Sequence, residues 1–146
     1  MRMDKLTQLF QMALADAQSK AVGQESPYIE TLHVMAAMLE QSQGSVVPLL
    51  EMLKVDMVDF RSAVEKAMHA LPQIMDASGD VGVSPELGRV LTTCDRIAQK
   101  NGDQYISSEL FLLAAIEVKG SLKDLLEQFG VNKKALQKAI EKMRGD

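Results

Sequence analysis

The sequence contains no tryptophan, and only 4% of its 146 residues are aromatic. Surfaces that bind single-stranded nucleic acids stack bases on aromatic side chains, so such a surface is not expected here. The net charge of −4 and the isoelectric point near 5.2 disfavour binding to other polyanions. The composition therefore argues against nucleic acid and anionic membrane as partners.

Cysteine and long apolar runs are equally scarce. The single cysteine, Cys94, cannot form an internal disulfide, which is typical of proteins from reducing compartments. No apolar run reaches the roughly 18 residues that a membrane-spanning helix needs. The amino terminus is charged from Arg2 onwards and lacks the apolar segment of a signal peptide. We therefore expect a cytoplasmic protein.

Motifs for metal and nucleotide binding are missing as well. The segment Gly79–Gly82 has neither the lysine nor the preceding strand of a phosphate-binding loop. His33 and His69 are far apart and have no second ligand at the spacing of a metal site. Cys94 has no histidine placed near it that would make it a nucleophile. We predict no catalytic residue, cofactor or metal in this chain.

What the sequence does contain is a duplication. Ile106–Ile116 repeats the pattern of Ile29–Leu39 at a distance of 77 positions. Further along, Val64 corresponds to Ile140 at a distance of 76 positions. A repeat this long is not a solenoid unit, so it indicates two small helical units related by a pseudo-twofold axis.

Each copy is predicted to contain four helices, because apolar residues recur every three or four positions and strand-type alternation is absent. The first helix is expected to be capped by Asp4 and to end at Gly23, and a central, buried helix is expected at about Thr31–Gln41. The remaining helix starts are predicted at capping residues. These are Ser45, Asp56, Ser84, Ser107 and Asn132, and one further helix is predicted after a break at Gly120-Ser121.

The predicted fold is therefore all-α, a pseudo-twofold duplicated bundle of eight helices built from two four-helix repeats. The whole chain, residues 1–146, forms a single domain by its length. Repeat one covers about residues 1–70 and repeat two about residues 84–146. A linker of about residues 71–83, which contains Pro72, Ser78-Gly79-Asp80 and Gly82, joins them.

Comparison of the two copies indicates candidate surface positions. A position that is apolar in one copy and charged or polar in the other is predicted to face outward, because a charge in a packed core costs several kcal/mol. This criterion selects Thr93, Ile97 and Leu110, which replace Asp16, Lys20 and His33. They form either an apolar groove that binds a partner or a seal between the two copies.

Two carboxylates border the predicted groove. Glu109 replaces Leu32 of the first copy in the first turn of a helix, where the helix amino terminus stabilises a negative charge. Glu109 is either a helix cap or, with Asp103, an acceptor for the backbone or a cationic side chain of a bound partner. An acid–base enzyme that uses Asp103, Glu109 and Tyr105 is a further alternative, but the sequence places no second catalytic group beside them.

Several motifs together resemble a known family. They include Ala13–Ser19, Gly79–Val81, Ala98–Lys100, Gly102-Asp103, Ile106–Phe111 and Met143–Gly145. The sequence resembles the amino-terminal (Clp N) domains of the bacterial ClpB disaggregase family over essentially its whole length. The run Ile-Ser-Ser-Glu-Leu-Phe differs from the Glu-His-Leu-Leu that is usual in the related ClpA and ClpC domains.

This resemblance implies a function. In that family the domain is an eight-helix bundle tethered by a flexible linker to two AAA+ modules, which bind ATP and magnesium and form a hexameric ring that threads polypeptides. The chain, which ends at Asp146, would then be a monomeric fragment without these modules, so it would not itself be an enzyme. Its partners would be unfolded or aggregated polypeptides and the rest of the hexamer. The alternative is docking of a folded adaptor protein, as in the ClpA and ClpC relatives.

The resemblance also assigns residues. It implies a substrate groove at Thr93, Ile97 and Leu110. It implies polar positions for substrate handling at Thr7, Asp103 and Glu109. Relatives can carry leucine at the position of Thr93, so the groove of this chain is expected to be less apolar and to bind more weakly.

Overall fold

The computed structural model describes residues 2–74 and 81–145, and these residues form eight α-helices, a short 3-10 helix at Met3–Lys5 and two strands of two residues each. The first copy contains α1 (Gln8–Gly23), β1 (Tyr28–Ile29), α2 (Thr31–Leu39), α3 (Val46–Met52) and α4 (Met57–His69). The second copy contains β2 (Gly82–Val83), α5 (Pro85–Asn101), α6 (Ser108–Glu117), α7 (Ser121–Gln128) and α8 (Lys133–Met143). The predicted all-α bundle with four helices in each copy is confirmed.

The central helices of the two copies are α2 and α6. Every residue of α2 is buried, as the apolar sequence of this segment predicts. In α6 all residues are buried except Glu109 and Glu117, which lie near the two ends of the helix. The partly buried carboxylates of this otherwise buried helix therefore mark where its ends approach the surface.

The first helix begins later than predicted. Asp4 was expected to cap it, but α1 starts at Gln8 and its cap is Thr7, whose Oγ1 accepts a hydrogen bond from the Phe10 N–H at 3.4 Å. Asp4 instead pairs with Arg2 at 2.6 Å. The reason is that Leu6 is extended and pairs with a distant segment, which interrupts the helix. The predicted caps Asp56, Ser84 and Asn132 are confirmed by hydrogen bonds to the backbone.

The two copies exchange their first segments. The Thr7 N–H donates to the Ile106 carbonyl at 3.0 Å, and the Ile106 N–H donates to the Lys5 carbonyl at 2.8 Å. At the equivalent place β2 pairs in parallel with β1, and the Ser84 N–H donates to the Ile29 carbonyl at 3.0 Å. The segment that precedes α1 therefore pairs beside α6, and the segment that precedes α5 pairs beside α2.

The predicted linker is thus partly structured. Gly82 and Val83, its last two residues, form β2 rather than a free connection. At its start, the Ile74 N–H donates to the Glu25 carbonyl at 2.8 Å. Residues 75–80, between these points, lie outside the described residues. Hydrogen bonds to the first copy therefore anchor both described parts of this segment.

All four phenylalanines of the sequence take part in contacts between the copies. Phe10 of α1 and Phe111 of α6 pack edge to face, with ring centroids 6.0 Å apart. Phe60 of α4 and Phe129, which follows α7, pack in the same way at 5.2 Å. Such pairs contribute roughly 0.5–1.5 kcal/mol beyond the area they bury. The two copies therefore share one continuous core.

Candidate functional site

A concavity of about 550 Å³ lies between α5, α6 and α8 of the second copy, and we call it the α5–α8 groove. Ile97, Leu113 and Ile140, one from each helix, form its apolar floor, and each is at most 9% exposed. Charged side chains form its walls. These are Arg96, Lys100, Asp103, Glu117, Lys133, Glu141 and Arg144.

An ion-pair cluster closes one end of the groove. Glu117, at the end of α6, accepts from Lys133 at 2.6 Å and from Arg96 at 3.1 Å. Partial burial alone would raise the pKa of the Glu117 carboxyl, but the hydrogen bonds and charges of Lys133 and Arg96 outweigh it and lower this pKa below its ordinary value. Glu117 is therefore a stable anion that ties α5 and α8 to α6.

A second cluster forms the opposite end around Arg144, the residue that directly follows α8. Its guanidinium donates to Asp103 at 3.2 Å, to Glu109 at 3.1 Å and to the Ser107 hydroxyl at 3.1 Å. Burial alone would lower the pKa of Arg144, but the charges and hydrogen bonds of Glu109 and Asp103 raise it. The other Glu109 oxygen accepts from the Ser45 hydroxyl of the first copy at 3.1 Å. This cluster therefore fixes α8, the start of α6 and the first copy to one another.

The structure brings the predicted polar residues together at this end. Asp103 and Glu109 share Arg144 as their partner, which means that a cation of the chain itself takes the bonds that the sequence suggested for a ligand. The backbone of Thr7 binds Ile106, the residue before Ser107. Thr7, Asp103 and Glu109 therefore belong to one region, and each has a role within the fold.

Ser45 and Ser107 lie at the predicted starts of α3 and α6, but their hydroxyls do not cap these helices. Each hydroxyl instead bonds to a charged side chain of the Arg144 cluster. Capping was the expected role because serine at such a position usually accepts from the backbone. Here a charged partner, which forms a stronger hydrogen bond, takes its place.

Of the three predicted groove residues, Ile97 lines the α5–α8 groove and Thr93 lines a neighbouring concavity of about 710 Å³. Thr93 lies one helical turn before Ile97 on α5 and shares its concavity with Val118 and Lys119, which follow α6. The surface that was predicted as one groove is therefore two adjoining depressions along α5.

The prediction that Leu110 faces outward is wrong. Leu110 is fully buried, and its carbonyl accepts from the thiol of Cys94 at 3.6 Å. Its equivalent His33 is also fully buried, and both of its ring nitrogens are bonded: Nδ1 accepts from the Glu30 N–H and Nε2 bonds to Gln24, both at 2.9 Å. A buried polar group is tolerated when its bonds are made, so a change from polar to apolar between copies does not prove exposure.

Cys94 has no features of a nucleophile. Burial raises the pKa of its thiol far above the ordinary value, so the reactive thiolate is disfavoured. Within residues 2–74 and 81–145, no three histidine, cysteine or acidic residues are grouped so that they could hold a metal ion. No helix of this part of the chain has the length and apolar character that crossing a membrane requires.

Sequence reasoning did not single out Arg144, Glu117 or Leu113. The duplication carried a signal for Arg144, because its equivalent 76 positions earlier is Met68, which is buried. An arginine in place of a buried methionine needs a partner, and the same comparison shows Glu109 in place of Leu32. Two changes from apolar to charged in the same copy mark Arg144 and Glu109 as positions that need polar partners, although the comparison does not say which partners these are.

The groove is a feature in which the second copy differs from the first. In the first copy, Lys20 stands at the position of Ile97 and pairs with Glu40 at 2.9 Å. Glu40 is the equivalent of Glu117. In the first copy the Lys20–Glu40 ion pair therefore spans the surface that remains an open groove above Ile97 in the second copy.

Comparisons with known proteins agree with this architecture. The Clp repeat (R) N-terminal domain family matches residues 5–129. The chaperone protein ClpB of Vibrio cholerae is 48% identical over 145 residues, which are 99% of this chain and 17% of that protein. The chain thus spans less than a fifth of the length of this curated relative.

Two solved structures share the fold. The Hsp104 N-terminal domain from Candida albicans superposes with a TM-score of 0.85 at 23% identity, covering 97% of this chain and 92% of that one. A complex of a ClpV N-domain with a VipB peptide gives 0.77 at 19% identity, covering 94% and 85%. The family match over residues 5–129 and the 48% identity to ClpB establish that the chain belongs to the Clp repeat N-terminal domain family, in the form found in ClpB chaperones.

Proposed function

We propose that this domain binds unfolded or aggregated polypeptide in the α5–α8 groove and delivers it to the AAA+ ring of a ClpB-type chaperone in the cytoplasm. The observation that carries the proposal is the apolar floor of Ile97, Leu113 and Ile140 between two ion-pair clusters. An unfolded chain exposes apolar side chains that gain from leaving water, and its backbone and polar groups can bond to the walls.

Binding to this groove is expected to be weak. The floor is shallow, and its three residues are already mostly covered, so little additional apolar area is buried by a ligand. Weak binding suits a domain that must release its substrate. Six such domains on one hexamer would raise the effective concentration, so that the assembly holds a substrate that a single domain does not retain.

The activity of the whole protein lies outside this chain in our proposal. ATP and magnesium bind to the AAA+ modules. The isolated domain is a monomer that neither forms nor breaks covalent bonds. Thr93 extends the binding surface along α5 through its adjoining concavity. Leu110 supports the surface from the core without contact to the substrate.

The proposal is tested by a titration of the domain with a permanently unfolded polypeptide, followed by amide-resolved NMR. The expected result is a set of shifted signals around Ile97, Asp103, Leu113 and Ile140. Shifts confined to other faces, or no shifts at millimolar ligand, would show that the groove is not the binding site.

A variant of the groove floor sharpens this test. In Ile97→Lys the introduced lysine can pair with Glu117, as Lys20 pairs with Glu40 in the first copy, so the groove is expected to close without unfolding. Binding of the unfolded polypeptide should fall at least about tenfold, equivalent to about 1.4 kcal/mol. Val58→Lys is the matched control, because Val58 is 79% exposed on α4 and receives the same charge.

Docking of a folded adaptor protein is the second candidate. The ClpV N-domain of the same fold is in complex with a defined peptide, and the charged ends of the groove are suited to a partner with matched charges. Competition separates the two functions. An unfolded polypeptide and an adaptor that share the groove displace each other, whereas an adaptor that still binds Ile97→Lys uses another surface.

A further inference from the structure

Four cationic side chains surround Thr93, where the two concavities along α5 adjoin. Arg89 and Lys119 line the concavity that contains Thr93, and Arg96 and Lys133 line the α5–α8 groove. We call these four residues the cationic surface. All four are exposed, whereas Thr93 between them is half-buried. The charges therefore stand at the margin of a surface whose centre is largely covered.

The positive charge of the cationic surface is not balanced by the part of the chain that the structure describes. Arg96 and Lys133 share a single carboxylate, that of Glu117. Neither Arg89 nor Lys119 forms an ion pair with a described residue. The carboxylates of α5 line neither concavity, and these are Glu86 and Asp95. Positive charge therefore remains available to a partner, although the chain as a whole carries a charge of −4.

The fold shared by the two copies does not require these cations. The first copy has uncharged residues at the positions of Arg89, Arg96 and Lys133, namely Met12, Ser19 and Met57. Within α5, Arg96 and Lys100 are one helical turn apart, and like charges at this spacing destabilise a helix. Stability of the shared fold therefore does not explain the cationic surface, whereas a partner of opposite charge does.

We propose that the domain preferentially binds segments of unfolded polypeptide in which aspartate or glutamate residues lie next to apolar residues. The apolar side chains of the segment enter the α5–α8 groove and the concavity at Thr93. The neighbouring carboxylates pair with the cationic surface. This inference rests on the proposed function and adds the class of substrate segment that the domain selects.

A nucleic acid is also anionic, but the two concavities suit it poorly. Neither concavity is lined by an aromatic side chain on which a base could stack. The floor of the α5–α8 groove is formed by Ile97, Leu113 and Ile140, which suit apolar side chains. The combination of an apolar floor and a cationic margin therefore favours an acidic polypeptide.

Three capped peptides of equal length test the preference. Each contains the same leucine and phenylalanine residues, which alternate with glutamate in the first peptide, glutamine in the second and lysine in the third. Each is titrated into the domain while the amide signals of Thr93, Ile97 and Val118 are followed by NMR. The glutamate peptide is expected to bind about five- to tenfold more tightly than the glutamine peptide, because several exposed ion pairs contribute modestly each. The lysine peptide should bind more weakly than both, and roughly 0.5 M salt should reduce all these differences.

A double variant assigns the preference to the cationic surface. Arg89→Gln with Lys119→Gln removes two exposed cations that have no ion-pair partner among the described residues, so the domain is expected to remain folded. The ratio of the affinities for the glutamate and glutamine peptides should fall at least about twofold. Lys134→Gln with Lys138→Gln is the matched control, because both lysines are exposed on α8, line neither concavity and carry the same charge. This control should leave the ratio unchanged.

Equal affinities of the wild-type domain for the glutamate and glutamine peptides would overturn the proposal. So would an equal fall of the ratio in the two double variants, because the preference would then depend on the net charge of the domain and not on this surface. Tighter binding of an oligothymidylate that carries the same charge as the glutamate peptide would also overturn it, because the surface would then be a nucleic-acid site.

The glutamine peptide and the unfolded polypeptide separate failure of this inference from failure of the proposed function. If both shift Ile97 and Val118 but glutamate gives no gain over glutamine, the groove binds apolar segments without a preference for charge. If none of the three peptides and no unfolded polypeptide shifts any signal of the groove, the proposed function fails together with the preference.

Discussion

The buried His33 makes the stability of the first copy depend on pH. Its Nδ1 accepts from the Glu30 N–H, so this nitrogen carries no proton in the fold. Burial, and then the charge of Lys20, lowers its pKa below the ordinary 6.5. The unfolded state therefore binds the proton more readily, and the free energy of unfolding is expected to decrease as the pH falls below 6.5. The slope reaches up to about 1.4 kcal/mol per pH unit.

Urea unfolding at a series of pH values measures this slope, and the other histidine provides the control. His33→Leu installs the residue of the second copy and should flatten the pH dependence just below pH 6.5. His69→Gln should leave it unchanged, because His69 is exposed and makes one weak pair with Glu65 at 3.6 Å. Equal slopes in the wild type and His33→Leu would assign the pH dependence to other groups.

Removal of Arg144 is expected to destabilise the domain through the two carboxylates that it leaves behind. Arg144→Met installs the residue of the first copy, but Asp103 and Glu109 then remain close together without their cation. The expected loss is about 1–2 kcal/mol in the free energy of unfolding, because these side chains are only partly screened by water.

The control for this variant is Arg2→Ala. Arg2 pairs with Asp4 at 2.6 Å, but both side chains are mostly exposed, so its loss should change stability by less than about 0.5 kcal/mol. The double variant in which Glu109→Leu accompanies Arg144→Met restores both residues of the first copy and should recover part of the loss. No recovery would show that the two residues are not energetically coupled.

At this scale the sequence could predict single positions where the two copies differ, but not their partners. Comparison of copies selected Ile97, which does line the groove, and Thr93, which lines the adjoining concavity. It failed for Leu110, because its equivalent His33 is buried with both ring nitrogens bonded. It passed over Arg144, whose partners lie 35 and 41 positions away in sequence. Long-range hydrogen bonds of this kind leave no periodic pattern.

Helix α6 contributes residues both to the core and to the groove. A substitution at Leu110, which lies in the core, tests whether loss of core packing and loss of binding can be separated. Leu110→Ala removes a fully buried side chain, so a loss of about 2–5 kcal/mol is expected in chemical denaturation. The groove should keep its affinity for unfolded polypeptide as long as the variant domain is folded. If the variant is fully folded but no longer binds unfolded polypeptide, Leu110 contacts the ligand.

The helices themselves were predictable because each carries its own signals. Apolar residues at intervals of three or four positions predicted all eight helices of the described residues. Asp56, Ser84 and Asn132 cap three of these helices as expected. The two strands were not predicted, since two residues are too short to show alternation. Asp4 was predicted as the cap of α1, and the true cap Thr7 was missed because the pairing of Leu6 with Ile106 is not visible in the local sequence.

For the molecule as a whole, the duplication predicted the architecture but not the way in which its halves are joined. Two similar copies of four helices imply a pseudo-twofold arrangement. The exchange of first segments depends on backbone hydrogen bonds, such as Thr7 to Ile106 and Ser84 to Ile29, which almost any residue can form. The side chains at these positions therefore carried no signal of the exchange.

This exchange predicts that neither copy folds alone. A fragment that ends within residues 75–80 keeps α1 to α4 but loses the partner of its first segment, the pairing of β1 with β2, and both partners of Phe10 and Phe60. The complementary fragment loses the same contacts from the other side. Each fragment is expected to show much less helical circular dichroism than its share of the whole domain.

Mixing the two fragments should restore the helical signal, because the broken connection is not needed for the contacts between them. The intact chain should unfold in one transition, with circular dichroism and the amide signals of both copies changing together. Independent, cooperative unfolding of either fragment would contradict this prediction. In that case the second copy would be stable by itself and would form the groove without the first copy. If the two copies fold jointly, the groove depends on the first copy through the contacts of Ser45, Thr7 and the phenylalanine pairs.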